Sequence, residues 1–362
     1  MKRILYTLLA LAATAAPAVA QTTQRLSAGK ATEYGLVYTL PQTALDITLE
    51  VELTETKPGE FFNYANRHLG ITDAIRREGH SARLLSATIV PRGVPDEQQQ
   101  WLVQFKTGTS PFMILNAAGV PLAVNTDATA PAPAVSLPVA RDAAPTPLET
   151  DAARQAVTQD MTRSSSMSKR AELAAQRIFE LREMRNDLLS GNADNTPPDG
   201  KAMQLVLDNI AAQEAALTAM FAGTTSTRTV VRTISVMPDS DDFSGLVVAR
   251  ISALDGIVDA DNLAGAPVSL AMNVTARGEL PVTEKGEPKR FPKGGFAYTI
   301  PGEATFSLSY NGRSVASATL PMAQLGTVFG IDPNVFTDRK APSCAILDPT
   351  TGGILRLEPV KP

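Results

Sequence analysis

Cysteine is nearly missing from this chain. Cys344 is the only one in 362 residues, which excludes an internal disulfide and any site built on paired cysteines. Histidine is almost as scarce, with His68 and His80 alone, and neither lies in a His-Glu-x-x-His pattern. No Gly-x-Ser-x-Gly elbow occurs, so a serine hydrolase of that type lacks its signature. Aromatic residues make up 5% of the chain, with Trp101 the single tryptophan, too few for the aromatic girdles of an outer-membrane barrel. There is no basic run and the formal net charge is −4, which argues against nucleic acid as a partner. Beyond the first twenty residues no stretch approaches the roughly 18 uninterrupted apolar residues of a membrane-crossing helix, so no transmembrane span is expected.

What is present begins with a leader. Lys2 and Arg3 precede an apolar run ending in Ala18-Val19-Ala20, the small-residue pattern read by signal peptidase. Residues 1–20 are therefore expected to be a signal peptide cut before Gln21, with the mature protein in the periplasm or at the cell surface of a Gram-negative bacterium. Taking Lys2 and Arg3 from 33 basic residues leaves 31 against 37 acidic ones, a formal charge of −6.

The hydrophobic period divides the remainder. Residues 21–125 read as an N-terminal β-rich domain. Its clearest strand has Leu45, Ile47, Leu49, Val51 and Leu53 alternating with Asp46, Thr48, Glu50 and Glu52. Turns are expected at Pro41-Gln42, between Pro91 and Gln98, and at Ala118-Gly119. Residues 126–150, rich in proline and alanine, read as a linker. Residues 151–223 read as a helical hairpin. One stripe carries Ala171, Ala174, Ile178, Leu181 and Leu188, and the other Met203, Val206, Leu207, Ile210, Leu217 and Phe221, with Gly191 and Gly223 as stops. Leu173, Phe179, Met184, Leu205 and Met220 lie off these stripes and suggest a second buried face, while Arg177 is expected near Glu214. Residues 224–362 read as a C-terminal β-sandwich-like domain, with a type I′ hairpin at Asn311-Gly312. The fold class expected is α+β: two antiparallel β units, N-terminal and larger C-terminal, organised around a central antiparallel helical hairpin.

Several motifs resemble one family. They are Tyr38-Thr39-Leu40-Pro41, Tyr64-Ala65 with Leu69-Gly70-Ile71, and Leu188-Leu189-Ser190-Gly191 with Pro198-Asp199-Gly200. Phe221-x-Gly223, Ile300-Pro301-Gly302 and Pro321 through Gly326 follow in the same order. Together they resemble an uncharacterised family of secreted envelope proteins of Bacteroidota. That resemblance implies an envelope protein and brings no activity or catalytic residues with it.

Candidate chemistry is sparse. His68 sits beside an aromatic helix face and His80 in a polar stretch, and both read as structural. Cys344 precedes an apolar strand and reads as a small buried hydrophobe. Trp101 falls in a strand pattern and reads as sheet packing. The acidic runs Asp239 to Asp242 and Asp255 to Asn262 hold the residue types of a calcium loop. The second, however, has no glutamate at the twelfth loop position and no glycine at the sixth, so solvated turns are the plainer reading. No catalytic, cofactor-binding or metal-ligating residue and no cofactor is assigned. The function expected is a non-enzymatic binding or structural module of the envelope, with another envelope protein or a glycan as partner. Two alternatives stand beside it: a periplasmic carboxylate hydrolase of glycan or peptide, and a complex subunit docking through the helical hairpin.

Overall fold

The computed structural model describes residues 22–25, 35–104, 111–128, 138–193, 200–338 and 341–360. The expected leader lies outside them, and most of the linker's centre does too. The chain is mostly β, built as three antiparallel sheets. The first sheet runs in the order β1 (Thr22–Arg25), β3 (Gly79–Gln104), β2 (Leu36–Lys57) and β6 (Thr224–Val236). The second is β11 (Arg313–Ile331), β10 (Phe296–Tyr310), β9 (Ala266–Ala276), β7 (Phe243–Ser252) and β8 (Gly256–Val258). The third is β13 (Ile354–Pro359), β12 (Ser343–Leu347), β5 (Pro121–Val124) and β4 (Met113–Leu115).

The main core lies between the first two sheets. Leu45, Ile47, Leu49, Val51 and Leu53 of β2 meet Val268, Leu270 and Met272 of β9 and Ala304, Phe306 and Leu308 of β10. Side chains alternate across a strand, so one period-two run places all five β2 residues on one face. Burying each such aliphatic side chain contributes about 1.5–3 kcal/mol.

This architecture overturns the α+β expectation with a helical hairpin at its centre. Strand residues far outnumber helical ones, and the organising element is the long β2–β3 pair, which contributes to the main core and, through Tyr38, Leu40 and Val103, to a second cluster with Val124, Ala345 and Leu347 of the third sheet. Helices α1 (Ala65–Leu69), α2 (Asp151–Ala156) and α3 (Gln159–Arg163) are short. Helices α4 (Met167–Ser190) and α5 (Gly200–Ala222) do pack on each other through Ile178, Leu181, Ile210, Leu217 and Phe221. They form a separate cluster with Phe61 and Ala65, however, and take no part in the main core. The last helix, α6 (Asn334–Thr337), is a single turn. The stripes were sound local signals; what they lacked was any measure of where the largest buried surface would form. Among the described residues no helix is long and apolar enough to cross a membrane.

Three local expectations also change. Pro41 lies inside β2, and Pro91 and Pro95 lie inside β3, where turns were expected. Pro41 faces Pro95 at a break in register between Thr39 and Pro41, a place where a missing N–H leaves no ladder donor unpaired. The same irregularity lets β2 change cores: Tyr38 and Leu40 pack with the third sheet, while Leu45 onward packs with the second. His80 sits in strand β3, not in a loop. Glu214 is held by Arg182 at 2.6 Å and Arg185 at 2.8 Å, whereas Arg177 pairs with Glu180 on its own helix. Arg182 and Arg185 are one turn apart on the same face, and where the two helices meet was not readable from a stripe alone.

Two hairpin expectations hold. Asn311 and Gly312 both have positive φ, 50° and 72°, and close the β10–β11 hairpin. Gly119, at φ 76°, closes β4–β5. The sheets, moreover, run across the segments expected from the sequence. β6 pairs with β2 from Leu45↔Val236 to Lys57↔Thr224, and β5 pairs with β12. Residue Arg141, in the proline-rich stretch, exchanges backbone hydrogen bonds with Thr229 of β6 at 2.9 and 2.8 Å.

Candidate functional site

The solvent face of the five-stranded sheet is made of small polar side chains. Because Leu270, Met272, Ala304, Phe306 and Leu308 point into the core, their alternating neighbours point out: Ser269, Ala271 and Asn273 on β9, and Thr305, Ser307 and Ser309 on β10. Thr319 of β11 extends the face, with its hydroxyl 2.9 Å from that of Thr305. Asn273 is exposed, while Thr305 and Ser307 are half-buried.

A bulge interrupts this face. Between β7 and β9 the register passes from Phe243↔Met272 to Leu246↔Leu270, so three residue steps on one strand match two on the other. Gly245 takes up the extra residue at φ 74°, a conformation that suits glycine because it has no Cβ. Beside this bulge lies an open cavity of about 570 Å³, lined by Asp242, Phe243, Ser244, Ala271, Asn273, Thr305 and Ser307 among others. Asp242 is fixed at the rim, since its Oδ1 accepts the Val274 N–H at 2.6 Å. The lining thus offers hydroxyls, one amide and one carboxylate beside half-buried Phe243, which also packs against the main core. It can exchange hydrogen bonds with a neutral polar ligand, and it holds no nucleophile–base pair.

A second grouping lies near the far end of the β2–β3 ladder. Glu55 of β2 stands directly opposite His80 of β3, and Glu78 precedes it by two residues. The donor atoms of all three lie within 4.8 Å of one another, and among the described residues no other group of three His, Cys, Asp or Glu donors converges in this way. His80 Nε2 is 3.6 Å from Glu78. Lys57 donates to Glu55 at 2.8 Å, and that hydrogen bond, followed by the lysine charge, holds the Glu55 carboxyl below its ordinary range. Glu55 and His80 also line a cavity of about 200 Å³ with Leu53, Thr54, Ser226, Arg228 and Leu254.

Of the residues weighed in the sequence, Asp242 lies at the groove's rim and His80 in the second grouping, and the others fall elsewhere. Asp255 accepts from Ser252, Asp259 pairs with Arg232, and Asn262 Oδ1 accepts the Ala264 N–H, so the 255–262 acids turn to their own neighbours. Asp241 faces Arg277 at 3.4 Å. His68 lies between Tyr64 and Phe221, at ring distances of 6.2 and 6.5 Å. Cys344 is buried in β12, and Trp101 stacks on Phe291 at 5.8 Å with nearly parallel rings. Both groupings described above escaped the sequence reading. Glu78 and His80 did carry a faint signal, because they lie two residues apart in the sequence. Glu55 gave none until its strand had a partner.

No curated protein matches the chain, and no solved structure does. A family model, by contrast, matches residues 34–355, nearly all of the described chain, and it is that of an uncharacterised family. The chain belongs to that family, the domain of unknown function DUF4831.

Proposed function

We propose that this protein is an exported cell-envelope module that binds a neutral, extended glycan without acting on it. The observation that carries this reading is the groove beside the bulge, where Asn273, Thr305 and Ser307 offer donors and acceptors beside Phe243. Sugar hydroxyls need such two-way partners, and an aromatic ring at one side matches the apolar face of a pyranose. Export is supported by the basic pair and the Ala18-Val19-Ala20 pattern at the N-terminus.

Titration calorimetry against a panel of neutral envelope oligosaccharides tests the binding. A member of the panel should bind saturably, and both Asn273→Ala and Phe243→Ala should weaken it by about tenfold, one well-made contact each. Binding that both variants leave unchanged, or no binding across the panel, removes the proposal. N-terminal mass spectrometry of the protein from envelope fractions tests export: a chain starting at Gln21 supports it, and an intact Met1 refutes it.

A further inference from the structure

We propose that Glu55, Glu78 and His80 hold one divalent cation of the zinc class. Strand pairing places two of the three donors, and the chain entering β3 brings the third. Glu55 faces His80 across the antiparallel ladder, where Cβ atoms approach to about 5 Å, and Glu78, in the stretch that leads into β3, turns its carboxylate to His80. A tetrahedral zinc with bonds of about 2.0–2.2 Å needs donor separations of about 3.3 Å. The Glu78–His80 separation of 3.6 Å is already close to that, and the whole set lies within 4.8 Å. The remaining closure falls to rotation of the exposed Glu78 side chain and of half-buried Glu55 once it leaves Lys57.

The backbone between the ligands is anchored. The Thr56 hydroxyl donates to the Gly79 carbonyl at 3.3 Å, holding in place the residue that separates Glu78 from His80. A side chain at Gly79 would run into that hydroxyl at 2.9 Å. The donor set also selects the metal. An imidazole with two carboxylates suits zinc and its first-row neighbours, whereas calcium and magnesium favour all-oxygen shells. Three protein ligands leave a fourth position, and the adjoining cavity of about 200 Å³, with Arg228 in its wall, leaves space beside the metal for water or an anionic group. The Lys57–Glu55 pair is the competing interaction. Both side chains reach solvent, at 55% and 39% exposure, so the lysine can swing into solvent when a cation takes the carboxylate.

The test is titration of zinc chloride into the full chain after chelator stripping, with each variant first checked for an unchanged melting temperature without metal. The expected result is saturable one-to-one binding, weakened about tenfold or more in His80→Ala and in Glu78→Gln. Glu55→Gln, a near-isosteric change at a half-buried position, should weaken it likewise and serves if His80→Ala fails to fold. His68→Ala should bind as the parent does. Absence of saturable binding overturns the proposal. So does binding that survives both glutamate variants, or that disappears with His68 instead of His80.

Discussion

Tyr38 and Ala297 lie 259 residues apart in sequence and are joined by two hydrogen bonds. The Ala297 N–H donates to the Tyr38 hydroxyl at 2.8 Å, and that hydroxyl donates to the Ala297 carbonyl at 3.2 Å. Both residues are buried, and the tyrosine ring stacks on Phe296 with centroids 4.9 Å apart. Burial pushes the phenol's pKa well above its ordinary value, against a smaller opposing effect from the Ala297 hydrogen bond. The group therefore stays protonated and can donate. Tyr38→Phe keeps the ring but strands a buried N–H, so it should cost about 1–3 kcal/mol in urea unfolding. A change below a few tenths would show that the N–H finds another partner.

Thr43 and Gln324 form a second long-range clasp. The Thr43 N–H donates to Gln324 Oε1 at 3.0 Å, and Gln324 Nε2 donates back to the Thr43 carbonyl at 2.8 Å. The Thr43 hydroxyl donates to the Thr350 carbonyl at 2.9 Å and accepts the Ala323 N–H at 3.0 Å. The glutamine amide thus serves β2 as a neighbouring strand would. Gln324→Leu, which matches the bulk and not the polarity, should cost about 2–4 kcal/mol, because it removes the partner of three backbone groups, the Thr43 N–H, the Thr43 carbonyl and the Pro238 carbonyl. Thermal melts of Gln324→Leu and Gln324→Glu separate bulk from bonding. The glutamate can accept from the Thr43 N–H but cannot donate, so it should fall between the parent and the leucine variant.

The helical cluster gives a contrast between two residues. Ile210 is 5% exposed and lies in the α4–α5 seam, whereas Phe179 is 51% exposed. Ile210→Ala should lower stability by about 2–5 kcal/mol. Phe179→Ala should change it by no more than about 0.5 kcal/mol, despite Arg182 lying over the ring at 5.6 Å. Equal losses at both positions would mean that the outer face is covered in solution. Of the second buried face expected from Leu173, Phe179, Met184, Leu205 and Met220, three residues, Phe179, Met184 and Leu205, are exposed, while Leu173 and Met220 are half-buried against the helical cluster.

Asp46 links acid stability to the outer face of the first sheet. Partial burial opposes its ionisation, yet hydrogen bonds from Arg92 and Ser235, with the Arg92 charge, hold its pKa below the ordinary carboxylate value. A lowered folded pKa means that this stabilisation is present above the unfolded value of about 3.9 and disappears as pH falls through the folded one. Asp46→Asn should therefore be less stable than the parent by about 0–1 kcal/mol at pH 7, and the gap should narrow when the pair is compared at about pH 2. Urea melts at the two pH values measure this; a gap undiminished in acid would place its origin in packing, not charge.

Much of the β content could be read from the residues because alternation is local. Leu45 to Leu53 declare an inner face whatever their partner, and Asn311-Gly312 declares a turn because few other pairs accept two positive φ values. Proline misled the reading at 41, 91 and 95. Its missing N–H forbids a strand only where a neighbour needs that donor, and here the prolines cluster around a break in the ladder. The candidate sites were less legible still. The groove lies beside one extra residue at Gly245, and the Glu55–His80 juxtaposition depends on register, neither of which leaves a pattern in composition or spacing.

The sequence by itself determined which residues of β2 and of α4 face inward, where the glycines stop helices or close hairpins, and that no disulfide contributes. Only the tertiary structure decided that β6 joins β2, that β5 joins β12, and that the core lies between sheets and not between helices. The physical reason is that backbone hydrogen bonds are the same for every residue. A strand carries its own face but not its partner's identity, and pairing is chosen by which arrangement removes the most apolar surface from water at once.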